Sequence, residues 1–318
     1  MRIVFTRLMI IGAIVFSFTQ SVAAQLFVQT FGDRSHPAVV FLHGGPGYNS
    51  ASFEFAVAQD LANRGLFVVC FDQRGCGRSQ SVGGRYTFQE ATSDIDSILK
   101  SLSISRATFI AHSFGGIVAM QYAAAKPQHV SAIVFVGAPF NMGEMLRVVQ
   151  NNCLQRFQQR QDSASIRTLR TVAAMDSSSI MYSSSTFMLA MKAGCYNVPM
   201  PTAEANEVKA VLKAHPSAKQ WMSNMTMPPV AGFLNNERYT TTDYTALAKT
   251  IRPTIPMIGL YGEHDGLFNA ASIRSIADVI GTDRVETVPM ASHSVFLDQK
   301  SWFIDKVATF VTTLPSRP

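Results

Sequence analysis

The segment Ala111-His112-Ser113-Phe114-Gly115-Gly116 stands between an apolar run, Thr108 to Ala111, and a helical pattern from Phe114 to about Ala125. A serine in a tight turn between a strand and a helix is typical of a nucleophile elbow, which needs small residues two positions either side of the serine. Ala111 and Gly115 meet that need. The turn would raise the Ser113 hydroxyl to a helix N-terminus, where the dipole favours developing negative charge. The alternative is a serine that only caps the helix.

Apolar runs of strand length recur on both sides of this turn and alternate with stretches of helical periodicity. The predicted strands are 38–42, 66–71, 108–111, 132–136, 257–261 and 285–288. Short apolar strands that alternate with amphipathic helices predict an α/β fold, with a mostly parallel sheet covered on both faces by helices. Leu26 to Thr30 leaves room for one earlier strand. We therefore expect a sheet of about seven strands.

A long interval, Pro139 to Ile251, interrupts the alternation. It is rich in helical patterns and loops, and it holds ten of the 15 methionines. We interpret residues 139–251 as a helical cap inserted over the carboxyl ends of the strands, where open α/β sheets bind ligands. Residues 25–138 and 252–318 would then form the catalytic domain. The methionines either line an adaptable apolar pocket or fill gaps in the core of the cap.

Two residues that could assist Ser113 follow later strands. Asp265 ends the stretch Tyr261-Gly262-Glu263-His264-Asp265, in which Glu263 is the weaker alternative, and His293 follows the last predicted strand. The chain order serine, aspartate, histidine is one that catalytic triads adopt on such sheets. We predict Ser113 as nucleophile, His293 as general base and Asp265 as the acid that orients the base. A solvated loop histidine is the alternative for His293.

A glycine-rich loop, His43-Gly44-Gly45-Pro46-Gly47, follows the predicted strand 38–42. Glycines there would let the backbone approach a ligand closely, and the N–H of Gly45 could join that of Phe114 in an oxyanion hole. A turn with only a folding role is the alternative. The set predicts acyl transfer without a cofactor. The sequence has no metal-ligand spacing and no phosphate-binding glycine loop, so no metal site is predicted.

The first 24 residues have the pattern of a secretory signal peptide. Arg2 and Arg7 supply the positive start, Leu8 to Phe18 is apolar, and Val22-Ala23-Ala24 is a small-residue cleavage pattern. The apolar run is short for a membrane anchor, which takes about 20 residues. We expect cleavage before Gln25 and export to the periplasm or the medium, with no stable membrane insertion afterwards.

The charge of the chain also limits its partners. The formal net charge is +6, and it falls to +4 without Arg2 and Arg7. The remaining basic residues are scattered, whereas binding along a nucleic-acid backbone needs a concentrated basic surface. We therefore expect no nucleic-acid partner, and the predicted ligand is a small molecule or a short peptide.

Export changes the interpretation of the four cysteines. Cys153 and Cys195 both fall in the interval 139–251, and in an oxidising compartment they could form a disulfide. Two buried free thiols are the alternative, and spacing alone leaves both open. Cys70 lies in a strand pattern and Cys76 in the loop just beyond it.

Two motifs together resemble those of the proline iminopeptidase family of α/β-hydrolases. They are His43-Gly44-Gly45-Pro46-Gly47 and Asp72-Gln73-Arg74-Gly75-Cys76-Gly77-Arg78-Ser79. The resemblance covers roughly residues 37–137 and 252–314. It implies the α/β-hydrolase fold with a helical cap, and release of an N-terminal residue, often proline, from peptides.

The sequence departs from that family in two places. Members usually carry Gly-Gly-Ser-Trp-Gly at the elbow, whereas residues 111–115 are closer to those of general esterases. The resemblance also implies cap carboxylates that hold the free amine of the substrate. The cap offers Glu144, Glu204, Glu207 and Glu237. Glu237 is the candidate, with a solvated surface carboxylate as the alternative.

Three functions remain open on these observations. The first is an exported hydrolase that removes N-terminal residues from small peptides. The second is a carboxylesterase or amidase on small apolar acyl substrates, favoured by the elbow and the methionine-rich interval. The third is a binding or receptor protein on a hydrolase scaffold. Such proteins tend to lose a triad member, and all three candidates are present here, so we expect an enzyme.

Overall fold

The computed structural model describes residues 25–315, so the predicted signal peptide, residues 1–24, lies outside the described residues. A sheet of seven strands has the order β1-β3-β2-β4-β5-β6-β7. The strands are β1 Val28–Phe31, β2 Ala38–Leu42, β3 Phe67–Phe71, β4 Ala107–His112, β5 Val130–Val136, β6 Met257–Gly262 and β7 Val285–Val288. β1 is antiparallel to β3, and all other neighbouring strands are parallel. The prediction of a mostly parallel sheet of about seven strands is confirmed.

The central strands are apolar along their length because helices cover both faces of the sheet. Every residue of β3, β4 and β6 is buried. In β2, Val40 and Leu42 join one apolar cluster, whereas Val39 and Phe41 join a second cluster on the opposite face. Burial of each such side chain contributes about 1.5–3 kcal/mol. β1 is only partly buried, as suits a strand at the edge of the sheet.

Helices flank this sheet throughout residues 25–315. They are α1 Ala51–Phe53, α2 Gln59–Asn63, α3 Phe88–Ser101, α4 Gly115–Ala125, α5 Met142–Gln159, α6 Ser163–Ala173, α7 Ile180–Ala193, α8 Ala203–Ala214, α9 Pro216–Met222, α10 Met227–Glu237, α11 Thr245–Ile251, α12 Ala270–Ile280, α13 Val295–Asp298 and α14 Lys300–Thr312. A π-helical turn, Glu54–Ala58, joins α1 to α2. The described residues include no helix with the length and apolar character needed to span a membrane.

α3 illustrates how the sequence determines where a helix begins and which of its faces packs against the sheet. The Thr87 hydroxyl accepts the N–H of Glu90 at 3.1 Å, a cap that contributes about 1 kcal/mol. Ile95, Ile98 and Leu99 recur at helical spacing and enter the cluster on one face of the sheet. The opposite face of the helix is polar, so the helix packs in one orientation.

Residues 139–251, the inserted segment, carry helices α5 to α11 between β5 and β6. The Thr226 N–H donates to Gly47 O beyond β2, and the Gly266 N–H beyond β6 donates to Cys195 O. The carboxyl ends of parallel strands lie at one edge of a sheet. The inserted segment therefore covers that edge at these points.

The ten methionines of the inserted segment divide into three groups. Met175 and Met222 are partly buried and pack against the apolar clusters. Met142 and Met145 are buried in the core. Six others are 49–73% exposed: Met181, Met188, Met191, Met200, Met225 and Met227. These six fit neither a pocket wall nor gap filling in a core, because their side chains face solvent.

Candidate active site

Ser113 occupies the turn between β4 and α4. Its φ of 53° is left-handed, a conformation that costs a non-glycine residue about 1–3 kcal/mol. Its N–H donates to Val136 O at 3.0 Å, which anchors the turn to β5. Gly115 must be small because a Cβ there would collide with the carbonyl oxygen of Leu42. The turn thus holds a partly accessible serine in a strained backbone position at the start of a helix.

Asp265 and His293 come together from the loops that follow β6 and β7. His293 Nδ1 lies 2.8 Å from Asp265 Oδ2, and the two side chains are 7% and 0% exposed. Asp265 Oδ1 accepts the N–H of Leu267 at 3.0 Å, so both carboxylate oxygens are engaged. This arrangement places the proton of a neutral imidazole on Nδ1. Nε2 is then the nitrogen that could take a proton from a nucleophile.

His112 connects this acid–base pair to the serine turn. Its ring centroid lies 4.8 Å from that of His293, and its Nε2 lies 3.2 Å from His293 O. Burial, together with His293, lowers the pKa of His112 well below its ordinary value, so the ring is neutral and Nε2–H donates to that carbonyl. His293 therefore lies beside the residue that precedes Ser113. Ser113, Asp265 and His293 thus lie in loops at the same edge of the sheet; His293 is hydrogen-bonded to Asp265, whereas the Ser113 hydroxyl has no hydrogen bond within residues 25–315.

The loop 43–47 borders the serine, and His43 orients it. A Cβ on Gly44 would lie only 2.8 Å from Ser113 Cβ. His43 Nδ1 donates to Gly44 O at 2.8 Å, and its Nε2 accepts the N–H of Gln73 at 2.9 Å. The C=O of Gly44 and the N–H of Gly45 belong to one trans peptide and point in opposite directions. The His43 hydrogen bond therefore fixes the direction of the Gly45 N–H, the predicted oxyanion donor.

Phe114, the other predicted oxyanion donor, is held through its ring. The ring centroid lies 5.0 Å from that of Phe233 and 5.2 Å from that of Tyr239. Phe114 is 1% exposed. Aromatic pairs at such separations contribute about 0.5–1.5 kcal/mol each beyond their buried area. The inserted segment thus packs directly against the residue next to Ser113.

Asp72 anchors the loop 43–50 through the hydrogen bonds of its carboxylate. Its Oδ1 accepts the N–H and the hydroxyl of Ser50 at 2.9 and 2.7 Å, and its Oδ2 accepts the N–H and Nε–H of Arg78 at 2.8 and 2.7 Å. Burial opposes ionisation, but the Arg78 guanidinium and the Ser50 hydroxyl hold the pKa of Asp72 below its ordinary value. Glu54 Oε2 lies 2.7 Å from Nη2 of the same guanidinium. The motif 72–79 is therefore a buried charge network that supports the glycine loop.

A short strap of the inserted segment, residues 221–226, is tied to the same loop. The Thr226 hydroxyl donates to Gly75 O at 2.6 Å, and its N–H donates to Gly47 O at 2.9 Å. Asn49 Nδ2 donates to the carbonyl oxygens of Trp221 and Asn224 at 2.7 and 3.1 Å. These bonds join the inserted segment to residues 47–49 and to Gly75, which belong to or adjoin the two glycine-containing motifs. Loop and strap must consequently move together.

Glu237, the predicted contact for a substrate amine, has a partner in the protein. It lies at the end of α10, and its Oε1 accepts the N–H of Phe88 at 2.7 Å. Asn236 next to it donates to Arg85 O. Glu237 therefore ties α10 to the start of α3, a role that the sequence alone did not indicate.

Tyr196 is a neighbour of the site that the sequence analysis missed. Its ring meets that of His293 edge-on, with centroids 5.5 Å apart. Burial, and then the charge of Asp265, raises the pKa of the Tyr196 phenol. The residue stands in an irregular turn after α7 with no motif around it, so no sequence signal could have singled it out.

The two neutral histidines predict a pH dependence of stability. Burial lowers the pKa of both His43 and His112, so the unfolded chain binds protons below pH about 6.5 that the folded chain rejects. The free energy of unfolding should be constant above that pH. It should fall as the pH drops below it, by up to about 1.4 kcal/mol per pH unit for each histidine.

Urea denaturation at pH 7.5, 6.5 and 5.5 measures this dependence. The His43→Gln variant lacks one of the two histidines, so its free energy of unfolding should fall less steeply with decreasing pH below 6.5. A wild-type unfolding free energy that stays flat from pH 7.5 to 5.5 would contradict the expectation.

The fold and the site together define a class of protein. In this class, the carboxyl edge of a mostly parallel sheet carries a serine turn, a buried histidine–carboxylate pair and a glycine loop. The chain belongs to the alpha/beta hydrolase fold family, whose model matches residues 37–300.

Curated relatives are similar over part of their length. A 3-oxoadipate enol-lactonase 2 of Acinetobacter baylyi is 30% identical over 134 residues, which are 41% of this chain and 49% of that protein. A proline iminopeptidase of Saccharolobus solfataricus is 30% identical over 123 residues, 36% of this chain and 39% of that protein. The alignments thus span less than half of these relatives. The resemblance to proline iminopeptidases is confirmed.

Solved structures match over most of the chain. A proline iminopeptidase-related protein from Thermus thermophilus has a TM-score of 0.66 at 22% identity, with 91% of this chain and 94% of that chain covered. An esterase from Exiguobacterium antarcticum has a TM-score of 0.61 at 16% identity, with 91% and 96% covered. At such identities the similarity shows the fold alone.

Proposed function

We propose that the chain is a serine hydrolase that forms an acyl-enzyme on Ser113. One observation carries the proposal: the 2.8 Å hydrogen bond between His293 Nδ1 and Asp265 Oδ2, beside a left-handed serine turn. The relatives named as iminopeptidases, esterases and an enol-lactonase support hydrolysis as the class of reaction.

The proposed mechanism follows from the roles of these groups. His293 Nε2 removes the hydroxyl proton of Ser113 as Oγ attacks the substrate carbonyl carbon, and Asp265 stabilises the imidazolium. The N–H groups of Gly45 and Phe114 stabilise the oxyanion; a single such donor is worth about 10²–10³ in kcat. His293 then protonates the leaving group. Water, deprotonated by His293, releases the acid from Ser113.

The surroundings favour an uncharged acyl substrate, such as an ester of a small apolar acid. A buried ammonium needs a carboxylate partner because an unpaired charge is costly to bury. The acidic residues of the inserted segment are Glu144, Asp162, Asp176, Glu204, Glu207, Glu237 and Asp243. All but Glu207 have hydrogen bonds of their own, and Glu207 is exposed in a groove between α8 and α14. None is left as an evident partner for a substrate amine.

Removal of N-terminal residues from small peptides is the second candidate, proline-iminopeptidase-like in kind. It rests on the motifs 43–47 and 72–79 and on the iminopeptidase relatives. Glu237 would have to contact the amine through the oxygen that does not bind Phe88. The two candidates share one mechanism and differ in the leaving group.

Export belongs to the proposal on sequence grounds. Arg2 and Arg7, the apolar run Leu8 to Phe18 and the pattern Val22-Ala23-Ala24 support cleavage before Gln25. N-terminal sequencing of the protein recovered from its source should begin at Gln25. Recovery of a chain that still begins with Met1 would contradict export by cleavage.

A paired assay tests the substrate. Purified protein is given p-nitrophenyl butyrate and proline p-nitroanilide in parallel, with Ser113→Ala as the blank. We expect turnover of the ester and slow or no turnover of the anilide. Efficient cleavage of the anilide that disappears when the proline nitrogen is acetylated would instead establish the peptidase. If neither substrate reacts above the blank, and Ser113 resists a fluorophosphonate, the proposed hydrolase function is wrong.

A further inference from the structure

Two of the four cysteines lie side by side in the inserted segment. Cys153 on α5 and Cys195 in the turn after α7 are 42 positions apart in sequence, yet their Sγ atoms are 3.9 Å apart. Both residues are fully buried. All four cysteines fall within the described residues 25–315, and this is their one thiol–thiol contact. Cys70 lies within β3, and the Cys76 thiol donates to Arg74 O at 3.6 Å.

The groups around the four thiols shift their pKa values in different directions. The hydrogen bond from the Cys153 thiol lowers the pKa of Cys195, and the nearby Arg156 acts in the same direction. Arg156 Nη1 donates to Gly194 O at 2.6 Å, which holds the guanidinium beside the turn. Burial raises the pKa of Cys70 and raises that of Cys76 to about 12. Arg156 lies near both Cys153 and Cys195 and favours the thiolate form at either one.

The turn that carries Cys195 also touches the candidate active site. Cys195 O accepts the N–H of Gly266, the residue after Asp265. Gly266 packs so tightly on Cys195 that a Cβ there would lie 2.7 Å from Cys195 Cα. Tyr196, the next residue, lies against the His293 ring. A bond between the cysteines would therefore fix this turn, and its contacts with Asp265 and His293, to α5.

We propose that Cys153 and Cys195 are a disulfide-forming pair that fastens the turn beside Asp265 and His293 to helix α5 when the chain folds in the presence of a disulfide oxidant. The thiolate of one of the two cysteines attacks a small or protein disulfide RSSR, forms a mixed disulfide and releases one RSH. The thiolate of the other cysteine then attacks the protein sulfur of that mixed disulfide and releases the second RSH. Two protein thiols lose two electrons and two protons, and RSSR becomes two RSH. Because both thiols are buried in the folded protein, the bond forms during folding.

Thiol counting on the wild-type chain tests the pairing directly. Protein is unfolded with reductant, refolded in a mixture of reduced and oxidised glutathione, and then denatured in iodoacetamide without reductant. We expect two alkylated thiols, on Cys70 and Cys76, and a cross-linked peptide that contains Cys153 and Cys195. Four alkylated thiols, or a bond that involves Cys70 or Cys76, would overturn the proposal. The count is independent of the proposed hydrolase function.

The effect on stability gives a second readout. A disulfide that closes a loop of this length should lower the unfolding equilibrium constant by about 30- to 1000-fold. Dithiothreitol should remove that difference from the wild type and from the matched control Cys76→Ser. Cys153→Ser and Cys195→Ser should resemble the reduced wild type and be insensitive to dithiothreitol. Oxidised and reduced wild type with equal urea midpoints would show that any cross-link does not fasten the folded turn.

Discussion

Replacing Ser113 by alanine is expected to lower kcat for the best ester substrate by about 10⁶-fold, because no other group can form the acyl-enzyme. The oxyanion donors and the binding surface would remain, so residual activity about 10³–10⁴-fold above the uncatalysed reaction is expected. The variant should fold normally, since the Ser113 hydroxyl makes no hydrogen bond within residues 25–315 and alanine keeps the Cβ. Steady-state kinetics with circular dichroism as the folding check measures both.

The matched control is Ser97→Ala. Ser97 is exposed on α3, and its hydroxyl bonds only the backbone of the preceding turn. That variant should keep the wild-type kcat. Asp265→Asn should fall between the two, with a loss of about 10⁴-fold in kcat, since the wrong imidazole tautomer would then be favoured. A Ser113→Ala protein that retains wild-type turnover would exclude the acyl-enzyme.

The strands could be predicted from the sequence because helices cover the sheet on both faces. A strand buried on both faces must be apolar at every position, and such a run stands out, as at 67–71. The first and last residues of the strands and helices were harder to predict from the sequence. β5 begins at Val130, two positions before the predicted start, because it pairs there with Ala107 of β4. The closing helix divides at Gln299, where no glycine or proline signals a break.

The sequence predicted that Ser113, Asp265 and His293 lie in the turn and loops that follow β4, β6 and β7, and the structure places them there. Their catalytic roles stay a prediction. Parallel strands end at one edge, so residues after their ends must meet. The contacts of the inserted segment could not be predicted in this way. Thr226 bonds Gly47 and Tyr196 meets His293 across large separations in the chain, and neither stands in a repeating pattern.

The contact that Glu237 makes within the protein could not be predicted from its residue type. Its carboxylate accepts a backbone N–H of α3, and that contact depends on how α10 is placed against α3.

The burial of the methionines likewise could not be predicted from their residue type. Apolar composition favoured a pocket or a core, but burial is decided by which face of a helix turns inward, and α7 presents Met181, Met188 and Met191 to solvent.

The largest expected effect on stability is that of Asp72→Ala. The Asp72 side chain is 0% exposed and accepts five hydrogen bonds, two from Ser50 and three from Arg78. Removing one partner from a buried ion pair leaves an uncompensated charge, at a cost of about 3–5 kcal/mol. Glu54, 2.7 Å from Arg78, would retain part of the compensation, so the lower end of that range is expected. Urea denaturation measures the loss.

Asp305→Ala is the matched control for this change. Asp305 also pairs with an arginine, Arg64, but the two side chains are 57% and 54% exposed. Water screens an exposed pair, so its loss should cost less than about 1 kcal/mol. Because Asp72 holds Ser50 and Arg78 beneath the glycine loop, Asp72→Ala should also reduce kcat under conditions where the protein is still folded, whereas Asp305→Ala should not. Equal losses of stability in the two variants would mean that the buried network contributes no more to stability than an exposed ion pair. The motif 72–79 would then not support the loop that carries Gly45.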